Sequence, residues 1–281
     1  MKTLLCLIEK ELIEYRIVLK LPFVIALFAV LNFALVASGD NVSFTVQTSA
    51  MGGFAFDVAS TAYAGLIGKL NEMISGLVFL VLFMVYIPKT LRKERQEGSL
   101  MFWRLVPVSD QFAIVAKLLF ALVIIPLITS VLLLFSDAIV WLLAKWLMTD
   151  EVMASFSVTM PAMLWHWLGF IGRLAVISLS LLPIACVLLV ISQLTNHPLI
   201  TAIVAVIVLK LTTYIVFDTS IISDFLSGIY SLPVMILKSE VPLQTYLSLG
   251  VLTQTGLLLM SGGLFFLCSK LRSSDDLSLS D

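Results

Sequence analysis

Residues 114–140 read IVAKLLFALVIIPLITSVLLLFSDAIV, and this stretch decides the class of protein. No charged residue lies between Lys117 and Asp137. A hydrocarbon core of about 30 Å is crossed by about 20 apolar residues in a helix, in which every backbone polar group is bonded internally. The stretch therefore predicts a transmembrane α-helix.

The rest of the chain has the same character. Of its 281 residues, 60% are hydrophobic and 12% are charged, and the mean hydropathy is +1.09. A soluble domain carries about a quarter charged residues, so the composition excludes a soluble enzyme. We predict an all-α integral membrane protein whose domain at residues 19–267 has six transmembrane helices, at Leu19–Ala37, Leu70–Ile87, Ile114–Val140, Leu164–Ile191, Leu199–Val216 and Tyr246–Leu267.

Three segments lie outside this set of spans. Residues 1–18 place leucine and isoleucine at helical spacing among charged residues, which predicts an amphipathic helix in the membrane interface. Residues 217–245 are too apolar for a solvated loop, and Gly228 and Pro233 interrupt them. We expect short interfacial or re-entrant helices there, on the outer side and before the last span. Residues 268–281 form a tail.

The basic residues indicate the orientation, because Lys and Arg accumulate in cytoplasmic loops. Twelve of the 17 fall near the two chain ends or between the second and third spans. An even number of spans places both ends on one side. We therefore expect both termini in the cytoplasm.

The one substantial cytoplasmic connection is residues 88–117. We expect its first part to form a short helix with a charged face and an apolar end, held just below the membrane. A positive-inside anchor and a docking element for a cytoplasmic partner are both compatible with this composition. The charged residues and the glycine that ends them are Arg92, Lys93, Glu94, Arg95, Glu97 and Gly98.

This connection resembles the first cytoplasmic loop of type-2 ABC exporter permeases. Residues 92–109 read RKERQEGSLMFWRLVPVS, and Lys117 follows. The family has a charged stretch with a glutamate, then Gly-(Ser/Thr)-Leu and Pro-(Val/Leu)-Ser. Six spans, short outer helices and Lys-Glu-Leu at residues 10–12 extend the resemblance over nearly the whole chain. Residues 101–104, MFWR, depart from the family, which more often has a Glu and a Leu pair there.

The resemblance implies the permease subunit of an ATP-driven exporter in a bacterial cytoplasmic membrane. Two permeases, identical or different, would form the translocation path across the membrane. Each would dock a separate ATPase subunit through residues 92–98. No cofactor is implied for this chain, since ATP and Mg would bind the ATPase partner. The sequence contains no G-x-x-x-x-G-K-[ST] phosphate loop, which agrees with ATP hydrolysis in another subunit.

Three ionisable residues, Asp137, Arg173 and Lys210, lie within predicted spans near the outer side. Such residues are costly in a membrane and commonly functional. Asp137 is predicted to pair with Arg173 or Lys210 and to line an outward cavity. The alternative is that the basic side chains reach the headgroups and Asp137 already lies in the interface. Lys69 and Glu72 predict a surface ion pair of little energetic weight.

Other classes of function fit this sequence less well. His166 and His197 fall on opposite sides of the predicted membrane, which disfavours a histidine metal site or a hydrolase. The basic residues form a short cluster, whereas nucleic-acid binding uses a broad basic face. The alternative that stays open is a membrane anchor or assembly factor that recruits a soluble cytoplasmic protein without transport.

Overall fold

The computed structural model describes residues 2–38, 63–96, 109–147, 153–154, 156–195, 197–217 and 221–274, and every regular element in these ranges is helical. This confirms the predicted all-helical class. The helices, in chain order, are α1 (Lys2–Glu14), α2 (Ile17–Ser38), α3 (Leu66–Gln96), α4 (Asp110–Leu119 and Ile125–Leu147, joined by a π-helical segment at Phe120–Ile124), α5 (Met160–Leu194), α6 (Pro198–Phe217), α7 (Ile221–Lys238), α8 (Pro242–Leu247) and α9 (Val251–Ser274).

Five stretches of the described chain are long and apolar enough to cross a membrane, as expected of a multi-pass membrane protein. The first predicted span, Leu19–Ala37, overlaps α2. The apolar part of α2 with described side chains, Ile17–Leu31, is short for a crossing. A sixth span therefore stays a prediction. The five stretches are Ile67–Lys93, Asp110–Trp146, Met160–Leu194, Pro198–Ile215 and Val251–Ser273.

One helix continues through two residues that were expected to interrupt it, and another continues beyond the predicted end of its span at Ile87. Helix α7 runs through Gly228 and Pro233, and α3 runs through Pro88 as far as Gln96. The charged residues as far as Arg95 therefore belong to the end of a long helix, and the rest of the predicted short helix, from residue 97 onwards, lies outside the described residues. Prolines are tolerated inside membrane helices. The Ser192 hydroxyl of α5 donates to the Pro88 carbonyl at 2.9 Å, which joins α5 to α3 at this point.

The chain divides into two compact units, and the first comprises Met1–Tyr15, Leu80–Ile125 and Arg173–Asp281. In its described part, α1 and α9 pack against the first part of α4, and α7 packs against α6 and α8. The core of this unit consists of aliphatic and aromatic side chains from α3, α4, α5 and α7. The largest of them that are fully buried include Phe83, Tyr86, Ile87, Ile114, Phe120, Ile177 and Leu181.

Helix α4 changes its hydrogen-bonding pattern just before Pro126. Proline lacks an N–H and its ring clashes with the carbonyl four residues earlier. In the π-helical segment, the Ile125 amide donates to the Phe120 carbonyl, five residues back. Phe120 is fully buried, with its ring 4.9 Å from that of Tyr86. Single π-helical turns of this kind are frequent at functional positions.

The second unit comprises Arg16–Phe79 and Pro126–Gly172. The chain enters α3 through Ala64 and Gly65, whose φ angles are +51° and +55°. A Cβ atom at Gly68 would collide with the Tyr63 carbonyl oxygen, so this position requires glycine. The buried core of this unit includes Tyr63, Ala64, Ala144, Val158 and Met163.

Candidate functional site

Glu11 of α1 forms a buried ion pair with Lys117 of α4. The Glu11 Oε1–Lys117 Nζ distance is 2.6 Å, and each side chain is 3% exposed. The other carboxylate oxygen, Oε2, accepts from the Tyr86 hydroxyl at 2.8 Å and from the Thr90 hydroxyl at 3.4 Å. Lys117 also donates to the Thr90 hydroxyl at 3.0 Å. We call these four residues the Glu11 cluster, and it joins α1, α3 and α4.

The sequence places the carboxylate at this point because Glu11 and Tyr15 lie one helical turn apart and are both buried. Leu5 and Ile13, which were expected to form the apolar face of α1, are 63% and 57% exposed. Helix α1 thus turns a polar and aromatic face towards its own unit. Leu5 and Ile13 face outwards, whereas Leu4, Ile8 and Leu12 are half-buried.

A second set of contacts joins α1 to the end of α3. Lys93 Nζ lies 3.1 Å from Glu14 Oε1 and 5.1 Å from the centre of the Tyr15 ring. The Tyr15 ring in turn meets the Tyr86 ring edge to face, with 4.8 Å between centroids. Lys10 and Glu14, one turn apart on α1, lie 3.8 Å from each other. The last turns of α3 are therefore held by charge and by aromatic packing.

The start of α4 is held in a similar way. Ser109 caps the helix, accepting from the Phe112 amide at 3.4 Å. Asp110, in the first turn, lies 2.9 Å from Arg272 Nε of α9. Residues 97–108, which lie outside the described chain, therefore connect two helix ends that are both anchored within one unit.

Only some of the predicted coupling residues lie in the described part of the chain. Arg92 and Lys93 are half-buried in the last turns of α3. Glu94 and Arg95 continue the same helix. Glu97 and Gly98 lie outside the described residues, so their predicted role stays a prediction. The sequence reasoning missed the Glu11 cluster. Its signal was an acidic residue on the helical face that carries Leu4, Ile8 and Tyr15.

Asp137, the first of the intramembrane candidates, is fully buried in the second unit. Its Oδ1 accepts from the Asn71 amide at 3.1 Å, and its Oδ2 lies 2.7 Å from His166 Nδ1. The Tyr63 hydroxyl donates to the Asp137 main-chain carbonyl at 2.7 Å, and its ring stacks on the His166 ring. Burial, with a smaller effect of the Asp137 charge, raises the Tyr63 pKa, so the hydroxyl keeps its proton.

The described bonds of the Asp137 carboxylate go to Asn71 and His166. Its predicted partners Arg173 and Lys210 belong to the first unit, so that pairing stays a prediction. Another prediction needs a correction. Lys69 and Glu72 do form an ion pair, at 3.2 Å, but Glu72 is buried rather than on the surface. A carboxylate within an apolar stretch was a sound signal. Its partners are a neutral amide and a histidine, which a search for opposite charges overlooks.

The other two candidates lie in the first unit. Arg173 of α5 donates from Nη1 to the Leu237 carbonyl at 3.3 Å, near the end of α7. Lys210 of α6 donates to the Ser227 hydroxyl at 2.8 Å and to the Tyr230 hydroxyl at 2.6 Å, both on α7. Each basic side chain thus joins a predicted span to α7.

The Glu11 cluster and the contacts of Asp137 with Asn71 and His166 are both suited to holding helices together. In the Glu11 cluster each charged atom already has a protein partner and no solvent access, whereas a catalytic group must meet a substrate. Within the described ranges no group of three or more His, Cys, Asp or Glu side chains could hold a metal ion. No protein-family model, no curated protein and no solved structure matches the chain.

Proposed function

We propose that this chain is the permease subunit of an ATP-driven exporter that docks a separate ATPase through residues 92–98. The observation that carries the proposal is the buried Glu11 cluster, which ties α1 to both helices that flank this loop. The resemblance of residues 92–109 to the loop of type-2 exporter permeases gives the family. A second permease, identical or different, would complete the path.

The Glu11 cluster supports a coupling role because a buried ion pair is rigid. Separating Glu11 from Lys117 would leave two uncompensated charges away from water, at a cost of several kcal/mol. The start of α4, the end of α3 and α1 therefore move together when the loop moves. An ATPase that pushes on residues 92–98 would displace three helices as one body, which is what conversion of ATP binding into transport requires.

The proposed membrane arrangement has six spans, with α2 as the first, in a bacterial cytoplasmic membrane and with both termini cytoplasmic. Residues 217–245 enter the outer leaflet and return. The Arg173–Leu237 bond supports this path. Arg173 lies 13 residues after the start of α5, or about 20 Å along the helix. The end of α7 therefore lies about 20 Å deeper than the start of α5, measured along the α5 axis from its predicted outer end.

Co-purification from the native membrane tests the proposal. The wild-type chain is expected to bring down a soluble ATPase, and the double charge reversal Glu94→Lys with Glu97→Lys is expected to release it. The matched control reverses two acids on the predicted outer side, Asp224→Lys with Glu240→Lys, and should retain the ATPase. Both pairs change the net charge equally, so a general charge effect would appear in both.

Three results would contradict the proposal. The first is a wild-type chain that brings down no ATPase, and the second is a complex that resists the reversal at Glu94 and Glu97. The third is an ATPase that binds the loop while its ATP turnover is the same with and without the permease. In that case the chain is an anchor for a soluble protein, without a role in transport.

A further inference from the structure

Helix α6 carries a single charged residue, Lys210, within its membrane-crossing stretch Pro198–Ile215. Its ammonium is held by two hydroxyls, those of Ser227 and Tyr230, and lies 5.0 Å from the centre of the Tyr230 ring. These partners are uncharged, and no carboxylate in the described part of the chain pairs with it. A cation in a membrane needs a compensating anion or water. The described part of the chain does not supply that anion here.

The hydrogen bonds within this group leave a donor for an external acceptor. The Ser227 hydroxyl donates to the Ser223 carbonyl at 2.7 Å, so towards Lys210 it acts as an acceptor. An ammonium has three N–H groups, and Lys210 uses two of them on Ser227 and Tyr230. Tyr230 is 50% exposed, so the group opens to the surface of the protein. The third N–H of Lys210 can therefore meet an anion from outside.

The surface around Lys210 has the pattern that a lipid molecule requires. Ile203, Ile207, Lys210 and Tyr214 share one face of α6, and the isoleucines and the tyrosine are exposed. Tyrosine is enriched at the level of the lipid headgroups. Tyr214 and Tyr230 therefore place Lys210 near the headgroup region, with an apolar track along Ile203 and Ile207 deeper in the membrane.

We infer that Lys210, together with Ser227 and Tyr230, binds the phosphate of an anionic phospholipid. The ammonium supplies the charge, and the two hydroxyls fix its position between α6 and α7. The acyl chains lie along Ile203 and Ile207. Basic pockets between membrane helices recognise headgroups by this combination of charge and apolar surface. The bound lipid would join α7 to α6 and supply the counter-charge for Lys210.

Native mass spectrometry of the purified chain with added lipids tests this inference. Phosphatidylglycerol, which has a net negative charge, is expected to bind more tightly than zwitterionic phosphatidylcholine. The variant Lys210→Met should weaken phosphatidylglycerol binding by about tenfold, as the loss of a charge-assisted hydrogen bond implies. Lys210→Arg should retain most of the preference. The matched control, Lys145→Met, removes a lysine at the end of another candidate span and should change nothing.

Three outcomes would overturn the inference. The first is equal binding of phosphatidylglycerol and phosphatidylcholine. The second is an equal effect of Lys210→Met and Lys145→Met on lipid binding. The third is displacement of the lipid by inorganic phosphate at millimolar concentration, because this displacement would indicate a site for a free anion. If Lys210→Met fails to fold, Tyr230→Phe replaces it in the test, because it removes one hydroxyl and keeps the ring. Tyr230→Phe must then lower the preference for phosphatidylglycerol over phosphatidylcholine. The test involves no ATPase, so its failure is separate from failure of the proposed transport function.

Discussion

At the scale of single residues, the buried ion pair of Glu11 and Lys117 is expected to have the largest effect on stability. Both side chains are charged and almost completely removed from solvent. Breaking such a pair by changing one partner costs about 3–5 kcal/mol, whereas replacing both partners with apolar groups can be nearly neutral. The two kinds of variant therefore distinguish a buried ion pair from a surface pair, which contributes about 1 kcal/mol or less.

We expect Glu11→Gln to lower the free energy of unfolding by about 3 kcal/mol or more, because the Lys117 ammonium stays buried without its counter-charge. The double variant Glu11→Gln with Lys117→Met should recover most of this loss. Glu9→Gln, at an exposed position of the same helix, is the control and should change stability little. Denaturation in detergent gives the three values. Equal effects at Glu9 and Glu11 would contradict the buried pair.

The Asp137 site leads to a second prediction. Asp137→Ala leaves the Asn71 amide and the His166 ring without their shared acceptor, which costs about 1–3 kcal/mol for each unsatisfied group. Asp224→Ala removes an exposed acid of α7 and should cost little. Thermal unfolding of the two variants in the same detergent makes the comparison. A loss at Asp224 as large as that at Asp137 would show that the buried contacts contribute nothing.

At this scale the sequence shows which charged residues lie in apolar stretches, but it does not show what they contact. Asp137 and Lys210 were singled out because a charge within an apolar stretch is costly. Their partners, including His166 and Tyr230, come from distant positions or from a segment of uncertain conformation. Glu11 was overlooked because an acid in a short amphipathic helix usually faces water. Only the fold reveals that α1 turns this face inwards.

At the scale of secondary-structure elements, hydrophobicity predicted helices well, whereas Gly228 and Pro233 were wrongly expected to interrupt one. Pro88 and Pro233 lie inside helices α3 and α7. In water, a proline inside a helix leaves a carbonyl to the solvent and often ends the helix. In a membrane no solvent competes for the backbone, so continuing the helix is favoured and neighbouring side chains satisfy the remaining groups.

The entry into α3 leads to a prediction about glycine. Gly68→Ala is expected to displace the Tyr63 backbone, because the new Cβ would collide with its carbonyl oxygen. Overpacking of this kind costs about 1–3 kcal/mol, and it would also disturb the bond from Tyr63 to Asp137. Gly169→Ala, where a Cβ meets open space, is the matched control. A thermal shift that is equal for both variants would contradict the close approach.

At the scale of the whole molecule, the class of protein and five of its spans follow from composition and apolar length alone. The division into two compact units does not, because each unit is assembled from separate stretches of the chain. A hydropathy profile treats residues 19–267 as one series of spans. It carries no information on which helices contact each other, since in lipid a buried apolar face and an exposed one have similar composition.

The cysteines test burial and the proposed orientation together. Cys6 is exposed, whereas Cys186 and Cys268 are buried. A membrane-impermeant maleimide should therefore label one thiol per folded chain and three after denaturation. With a cytoplasmic N-terminus, Cys6 should react in inside-out vesicles and be protected in right-side-out vesicles. Loss of the label in Cys6→Ser identifies the site. Labelling in right-side-out vesicles alone would reverse the proposed orientation.

The Glu11–Lys117 pair also sets an order of events during synthesis. The two residues are 106 positions apart, so the ribosome adds Lys117 roughly 5–20 s after Glu11 at ordinary rates of elongation. During this interval the carboxylate of the first helix has no cationic partner on α4, and water at the membrane surface has to solvate it. The helix that is made first thus reaches its final position only once the start of α4 has emerged and inserted.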